Sequence, residues 1–174
     1  GLGGMVAQEV VMRRPELVNR LVLSSTTSGP DAGWDEQAQR QTALLDASAN
    51  DMRQLAEAVV PGQTGPLALA EGVRLAQHCM ARVSPVTYRL ALQAQAAFDR
   101  DAALSHIHVP TLLIAGEHDR CASGSAIERM AGKIHGSRWV QMPGIGHWQN
   151  LEAPDAFDAL VLDFLSQRAR AWLH

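Results

Sequence analysis

Residues 109–116 of this sequence read Val-Pro-Thr-Leu-Leu-Ile-Ala-Gly, and residues 117–119 continue with Glu-His-Asp. The segment from Thr111 to Ala115 is mostly apolar, and a proline and a glycine bound it. A short apolar run between such breakers predicts a strand buried on both faces, as in parallel sheets. The polar residues after it lie where open α/β sheets place their ligands, past the carboxyl end of a strand.

Two further runs have the composition of buried strands. Residues 21–24 read Leu-Val-Leu-Ser, and residues 138–142 read Arg-Trp-Val-Gln-Met before Pro143 and Gly144. Helical patterns separate the three runs, and strands that alternate with helices predict a parallel sheet. The predicted fold class is therefore α/β, with about three parallel strands flanked by helices.

The long segment between the first two strands predicts helices alone. Residues 31–104 are rich in alanine, glutamine and leucine and contain no strand-like run, so we expect a helical cap or lid there. Residues 1–30 and 105–174 would then form the α/β core. Pro61 and Gly62 are expected to break the insertion between two helices. The expected helices span residues 34–48, 50–60, 66–82 and 85–97.

Two helices are expected in the C-terminal part. One spans about 125–133 and begins with a capping box made by Ser125 and Glu128. The other begins near Pro154 and buries a stripe of apolar residues at helical spacing. The stripe consists of Phe157, Leu160, Val161, Phe164 and Leu165.

The composition narrows the class of protein. Of the 174 residues, 47% are hydrophobic and 19% are charged, which excludes a disordered chain. A net charge of −3 gives no basic patch for nucleic acid or an anionic membrane surface. No apolar run reaches the roughly 18–20 residues of a membrane-spanning helix. The two cysteines, Cys79 and Cys121, cannot form a disulfide framework, so we expect a reduced, cytoplasmic setting.

A second polar loop follows the third predicted strand. Residues 143–148 read Pro-Gly-Ile-Gly-His-Trp, and residues 116–119, after the middle strand, read Gly-Glu-His-Asp. A histidine on a glycine-flanked loop can approach a carboxylate on the neighbouring loop, which would orient the imidazole and stabilise its charged form. From the residues alone, a solvated loop histidine is the alternative.

These loops, together with Asn150-Leu151-Glu152-Ala153-Pro154, resemble the C-terminal part of the α/β-hydrolase fold family. The resemblance implies an incomplete α/β-hydrolase fold in which Asp119 is the acid and His147 the base of a Ser-His-Asp triad. Residues 88–99 and 104–107 are most similar to 3-oxoadipate enol-lactonases and related esterases, so the implied substrate is a small ester or lactone. Haloperoxidase-like and C–C-bond hydrolases share the triad and stay as alternatives. The resemblance implies neither a metal nor an organic cofactor.

The beginning of the sequence resembles the segment around the family's nucleophile. Gly1-Leu2-Gly3-Gly4 overlays the Ser-x-Gly-Gly part of that motif. Gly1 thus takes the position of the serine, and the backbone N–H of Leu2 would form part of the oxyanion hole. We therefore expect a chain that lacks the nucleophile and the strands before it, and that is inactive alone. Two explanations stay open: a truncated or processed hydrolase, or a natural non-catalytic remnant that binds a small apolar ligand or forms an assembly.

Other side chains could serve in place of the expected triad members. Residues 24–27 read Ser-Ser-Thr-Thr after the first strand, where strand termination and capping are the simpler role. Cys121 could place a thiol near His147, although no sharp turn presents it and a packing role is the alternative. Asp31 is an alternative triad acid.

Two pairs of side chains complete the set of candidates. Trp34 and Trp148 could line an apolar pocket under the helical insertion. His106 and His108 could suggest a metal site. Residues separated by one position on a chain that enters a strand point to opposite faces, however, and no Cys/Asp cluster accompanies them, so we expect no metal.

The first strand is expected to have an unpaired edge. In the family, the strand at residues 21–24 lies beside the strand that leads to the nucleophile. Without that neighbour, an apolar strand and the helix over residues 3–14 would be left partly uncovered, and an unpaired strand edge is a template for pairing. We expect a homodimer joined near this edge, or a separate N-terminal fragment that completes the sheet.

Overall fold

The computed structural model describes residues 1–167, which contain a three-stranded parallel sheet. The strands are β1 (Leu21–Ser24), β2 (Thr111–Gly116) and β3 (Arg138–Met142). β2 is the central strand: Leu21 of β1 pairs with Thr111, and Arg138 of β3 pairs with Leu112. Every residue of β2 is buried, as its apolar run predicts. The α/β class and the three parallel strands are confirmed.

Helices connect the strands and account for most of the described residues. Their bounds are α1 Leu2–Arg13, α2 Ala32–Ala47, α3 Met52–Gln63, α4 Ala70–Ala81, α5 Pro85–Ala96, α6 Gly124–Lys133, α7 Gln149–Glu152 and α8 Pro154–Ser166, with 3-10 turns at Pro15–Leu17 and Asp101–His106. None of these helices is both long and apolar enough to cross a membrane.

Alternating side chains of β2 build an apolar layer on each face of the sheet. On one face Leu113 belongs to a buried cluster with Leu23 of β1 and Ile127 of α6. On the other face Ile114 belongs to a cluster with Phe164 of α8. Each of these side chains is fully buried, and burial of one such side chain stabilises the fold by roughly 1.5–3 kcal/mol.

The helices between β1 and β2 have an apolar cluster of their own. α3 and α4 contribute Leu55, Val60 and Ala76 to it, all fully or almost fully buried. Trp148 and Leu151, which follow β3, contact the same cluster. The helical segment therefore rests on the loop that carries His147.

The prediction that Pro61 breaks the helical segment was wrong. α3 continues through Pro61 and ends at Gln63. A proline inside a helix removes one hydrogen bond, but Val60 and Gln63 on either side of it are buried. Their packing keeps the last turn of α3 helical.

The expected start of α4 was also wrong, because the helix begins at Ala70 rather than at residue 66. The N–H groups of Leu67 and Leu69 donate to the carbonyl oxygens of Gly144 (3.0 Å) and Glu152 (2.9 Å). The chain from Gly65 to Leu69 therefore crosses the loop after β3 instead of beginning a helix.

The capping box of α6 was placed two residues too late. Ser123 is the N-cap, and its Oγ accepts a hydrogen bond from the N–H of Ala126 at 3.2 Å. Ser125 lies within the first turn, where its hydroxyl contacts that of Ser123 at 3.1 Å. Two serines at this spacing leave the cap ambiguous in the sequence.

α8 begins at Pro154 as predicted, and four members of its apolar stripe contact the core. Leu165 is the exception, since it is 47% exposed. It follows the fully buried Phe164 by one position, or about 100° around the helix, which turns it away from the sheet. Residues 168–174 of the predicted C-terminal core lie outside the described part of the chain.

Candidate active site

The loops after β2 and β3 bring the predicted acid and base into contact. The Nδ1 atom of His147 lies 3.0 Å from Oδ2 and 3.1 Å from Oδ1 of Asp119. Gly116 and Met142, the last residues of the two strands, pair with each other, so both loops leave the same edge of the sheet. The predicted contact is confirmed. Because Asp119 accepts from Nδ1–H, the Nε2 atom of a neutral His147 is free to accept a proton.

Asp119 is held as a carboxylate by its surroundings. Its side chain is buried, and Oδ1 accepts the N–H groups of Cys121 (2.8 Å) and Ala122 (3.0 Å). Burial alone would raise the pKa of Asp119, but the charge of His147 and hydrogen bonds from its ring and from the Ala122 amide hold the pKa below its ordinary value. The carboxylate therefore stays ionised at neutral pH and can orient the imidazole.

Close backbone contacts fix the loop that carries His147. The N–H of His147 donates to the carbonyl oxygen of Gln63, at the end of α3, at 2.7 Å. A Cβ atom at Gly146 would overlap this carbonyl oxygen, and one at Gly116 would overlap the carbonyl oxygen of Gly146. Glycine is required at both positions because the backbones approach so closely.

Gly1 faces the free nitrogen of the imidazole. A Cβ atom at position 1 would lie 3.7 Å from the Nε2 atom of His147. The nitrogen of Gly1 donates to the carbonyl oxygen of Ser24 at 3.1 Å, and its carbonyl oxygen accepts from Thr26 Oγ1 at 2.8 Å. Leu2 begins α1, and the first N–H groups of a helix have no partner within it. The Leu2 N–H is therefore available to an external acceptor beside position 1.

A cavity of about 510 Å³ opens beside His147. Trp34 and Trp148 both line it, as the sequence predicted, and their rings meet the imidazole edge-on at centroid distances of 5.6 and 5.7 Å. Gln37 and Gln41 of α2 add buried amide groups to the lining. No Lys, Arg, Asp or Glu side chain is among the lining residues in the described part of the chain.

The hydroxyl residues that follow β1 make no hydrogen bond to the base in the described part of the chain. The hydroxyl groups of Ser24, Thr26 and Thr27 donate to oxygens outside the acid–base pair. Ser25 has a buried Oγ and a backbone φ of +46°, and its hydroxyl helps to hold the pKa of Asp119 below its ordinary value. Within the described residues, none of the four makes a hydrogen bond to His147.

Asp31, the alternative acid, is occupied elsewhere. It is the N-cap of α2, where its Oδ1 accepts the N–H of Gly33 at 2.9 Å. Its other oxygen lies 3.7 Å from a guanidinium nitrogen of Arg129 on α6. The structure therefore brings Asp119, and not Asp31, to the imidazole.

Asp119, Cys121 and His147 place potential metal ligands within 4.8 Å of one another. Hydrogen bonds already engage these atoms, and Gln63 Nε2 donates to the Cys121 sulfur at 3.2 Å. Burial, and secondarily the charge of Asp119, raises the pKa of the Cys121 thiol, which disfavours the thiolate that binds metals or attacks carbonyl carbons. The cluster fits a hydrogen-bonded network better than a cation site. His106 and His108 are exposed on either side of the buried Ile107.

Comparison with known proteins identifies the fold family of the chain. Residues 2–154 match the alpha/beta hydrolase fold. The chain belongs to the alpha/beta hydrolase fold family. It is 32% identical over 170 residues to a protein of Pseudomonas savastanoi pv. phaseolicola that is provisionally named carbamate hydrolase RutD. It is also 30% identical over 172 residues to a pimeloyl-[acyl-carrier protein] methyl ester esterase of Nitrosospira multiformis.

Solved structures of the family superpose well on this chain. A hydrolase from Pseudomonas aeruginosa PA01 is 29% identical with a TM-score of 0.80, over 94% of this chain and 62% of its own. The enol-lactonase from Burkholderia xenovorans LB400 is 25% identical with a TM-score of 0.79, over 96% of this chain and 64% of its own. The two relatives above are covered over 65% of their length by 95% and 94% of this chain. The chain thus spans a little under two thirds of each of these alpha/beta hydrolases.

Two residues of the site gave no interpretable signal in the sequence. Gln63 contributes its carbonyl oxygen, which every residue type has. Glu152 is fully buried and accepts three backbone N–H groups, from Gly65, Gly146 and Trp148, each at 2.8 Å. The Asn-Leu-Glu-Ala-Pro segment supported the resemblance to the family, but it did not indicate what Glu152 does.

Proposed function

We propose that this site belongs to a hydrolase of small esters or lactones, with His147 as the base and Asp119 as the group that orients it. The observation that carries the proposal is the position of Gly1, whose missing side chain would point at His147 Nε2 from 3.7 Å. A hydroxyl on that Cβ would have the acid–base pair it needs to become a nucleophile. The chain has glycine at this position, so we expect the site to be inactive without that hydroxyl.

With a serine at position 1, the chemistry would proceed as acyl transfer. The serine oxygen attacks the substrate carbonyl carbon while His147 Nε2 accepts the serine proton, and the Leu2 N–H binds the oxyanion. His147 then returns the proton to the leaving oxygen as its bond to the carbonyl carbon breaks. Water then attacks the carbonyl carbon of the acyl group while His147 accepts a proton from it. His147 returns this proton to the serine oxygen as the acyl–serine bond breaks. Asp119 holds the Nδ1–H and stabilises the imidazolium throughout.

The cavity supports an uncharged substrate. Trp34 and Trp148 supply apolar surface, and Gln37 and Gln41 supply neutral hydrogen-bonding groups. Among the described lining residues, only a protonated His147 and the Gly1 amino group could offer a positive charge to the substrate, and burial lowers the pKa of that amino group to about 6. At neutral pH a buried charged group of the substrate would therefore be largely unpaired, and burying an unpaired charge is costly. The names of the relatives indicate ester, lactone and carbamate substrates, whose scissile groups are neutral.

Pre-steady-state hydrolysis of p-nitrophenyl acetate tests the assignment. The chain with Gly1 should hydrolyse this ester no faster than free imidazole, since loss of a triad serine costs on the order of 10⁶ in kcat. Gly1→Ser should give a burst of p-nitrophenol close to one equivalent per chain, and Gly1→Ala should give none. A burst in Gly1→Ala, or its absence in a folded Gly1→Ser variant, would overturn the assignment.

A second candidate function is non-catalytic binding of a small ligand. The glycine at position 1 favours it, because the cavity persists without a nucleophile. In that case Gly1→Ser would leave hydrolysis at the imidazole level, while a small neutral ester would still bind in the cavity.

We also infer that the face around β1 and α1 is an interface between two copies of the chain. β1 pairs only with β2 among the described strands. Leu2, Val6 and Val10 form one apolar stripe along α1 and are 37%, 54% and 41% exposed. Contiguous apolar surface beside an unpaired strand edge is a common basis for association.

Light scattering tests the interface. The chain should have the mass of a dimer, and Val6→Lys should shift it towards the monomer. Leu162→Lys is the matched control, because Leu162 is 64% exposed on α8, away from α1. A monomer that persists at high concentration would refute the homodimer. If the chain instead binds a separate N-terminal fragment and no longer dimerises, completion of the sheet by that fragment would be favoured.

A further inference from the structure

The carboxylate of Glu152 lies beneath the backbone of the His147 loop. Its Oε2 accepts the N–H of Gly146, and its Oε1 accepts the N–H of Trp148, each at 2.8 Å. These are the residues on either side of His147. One side chain thus holds the peptide groups before and after the base.

The same carboxylate also reaches the helical segment. Oε2 accepts the N–H of Gly65 at 2.8 Å, in the turn between α3 and α4. A Cβ atom at Gly65 would crowd the backbone of Gly144 and Ile145, so the two chain segments are in direct contact there. The helical segment and the His147 loop therefore share one acceptor group.

A second link joins the same two segments at His147 itself. The N–H of His147 donates to Gln63, at the end of α3, and the carbonyl oxygen of Gly144 accepts from Leu67. The peptide N–H groups of residues 146–148 thus all have partners, two on Glu152 and one on α3. Any displacement of the α3–α4 turn must break bonds that fix the base.

We propose that Glu152 is a positioning residue that couples the helical segment to His147, by holding the N–H groups of Gly65, Gly146 and Trp148 on one carboxylate. A carboxylate is suited to this role because its two oxygens accept several N–H groups without donating. An amide of the same shape has one acceptor oxygen, so at least one buried N–H would face an NH₂ group. The inference rests on the proposed function only in taking His147 as the base.

Glu152→Gln tests the proposal in the chain as it exists, by NMR. Amide exchange at Gly65, Gly146 and Trp148 should accelerate about 5- to 140-fold, which corresponds to the roughly 1–3 kcal/mol penalty of an unsatisfied buried group at 1.4 kcal/mol per tenfold. The ring nitrogens of His147 should report a mixture of tautomers, whereas the unchanged chain should show the Nδ1–H form.

Two comparisons separate positioning from general destabilisation. Asp158→Asn makes the same carboxylate-to-amide change on an exposed residue of α8 and should leave both readouts unchanged. The amide of Ile114, in the centre of β2, should exchange in Glu152→Gln as it does in the unchanged chain. Equally accelerated exchange at the Ile114 amide would mean that Glu152 only stabilises the fold as a whole, and would overturn the proposal. An unchanged tautomer population of the His147 ring would also overturn it.

Glu152→Asp covers the case in which Glu152→Gln does not fold. It keeps both acceptor oxygens on a stem shorter by one methylene, and should accelerate exchange at the same three amides by less than the amide variant would. Unchanged exchange at all three would overturn the coupling. The readouts do not involve hydrolysis, so a missing burst in Gly1→Ser beside a clear Glu152 response would count against the proposed function alone.

Discussion

The two sides of the cavity differ in how many contacts hold the residue that faces the substrate. On the side of the β2 and β3 loops, His147 is fixed through its ring by Asp119 and through its backbone by Gln63 and Glu152. On the side of α1, Gly1 offers no side chain, and the outer surface of the helix is apolar and exposed. The difference shows that a base can be fully oriented by contacts that do not involve the nucleophile.

The largest expected effect separates these two sides by the same substitution. Gly146→Ala would push a methyl group into the carbonyl oxygen of Gln63 and should destabilise the fold by roughly 3 kcal/mol, at the upper end for overpacking. Gly3→Ala is the matched control on α1, where a Cβ atom would meet open space. It should stabilise the helix by up to about 1 kcal/mol.

Urea unfolding measures both changes. Equal and small effects would mean that the His147 loop is no more constrained than α1. A large loss of unfolding free energy in Gly3→Ala would instead show that the surface of α1 is covered by a partner outside the described residues.

A smaller effect is expected at the acid. Asp119→Asn should lower the free energy of unfolding at neutral pH by roughly 2 kcal/mol, the scale of hydrogen bonds to a charged group. The folded pKa of Asp119 is depressed, so its contribution is complete above the unfolded value of about 3.9 and is lost as pH falls through the folded value. The variant should therefore lose stability less steeply in acid than the unchanged chain.

Asp158→Asn is the control for this pH dependence, since Asp158 is exposed. Denaturant midpoints between neutral pH and pH 2 should coincide for this control and the unchanged chain. If Asp119→Asn retains the same slope in acid as the unchanged chain, Asp119 is not the source of the pH dependence.

The smallest expected effect concerns the charge of the ligand. A neutral ester such as methyl 6-amino-6-oxohexanoate should bind the cavity about tenfold more tightly than the isosteric anion monomethyl adipate, a difference of about 1.4 kcal/mol. Calorimetric titration of both compounds provides the measurement. Tighter binding of the anion would contradict a neutral cavity and would show that His147 or the Gly1 amino group pairs with it in the protonated form.

The sequence was sufficient for the elements whose signal is local. The apolar runs of β1 and β2, bounded by breakers, predicted the sheet. The loops after β2 and β3 left a solvated histidine as an alternative, and the resemblance to the α/β-hydrolase fold family was needed to predict the contact between Asp119 and His147. Pro61 was misread because packing of the buried residues on either side of it keeps α3 helical, and such packing is not visible in the order of residues.

The contacts that hold His147 in place could not be predicted for the same reason. Gln63 and Gly65 are more than 80 positions before His147, and they act through backbone groups. Glu152 resembles an ordinary polar residue before a helix, and only the fold shows that it is buried. The pattern of side chains in a sequence indicates which chemical groups are available. The coupling of the helical segment to the base depends instead on backbone contacts between distant segments.

The central claim is that position 1, His147 and Asp119 form one reacting group of residues. Labelling with a fluorophosphonate probe, mapped by mass spectrometry, tests it most directly. Gly1→Ser should acquire one phosphonyl group at position 1, and the label should be lost when His147→Ala is added. Labelling that survives the loss of His147, or that maps to Ser24 or Ser25, would contradict the account.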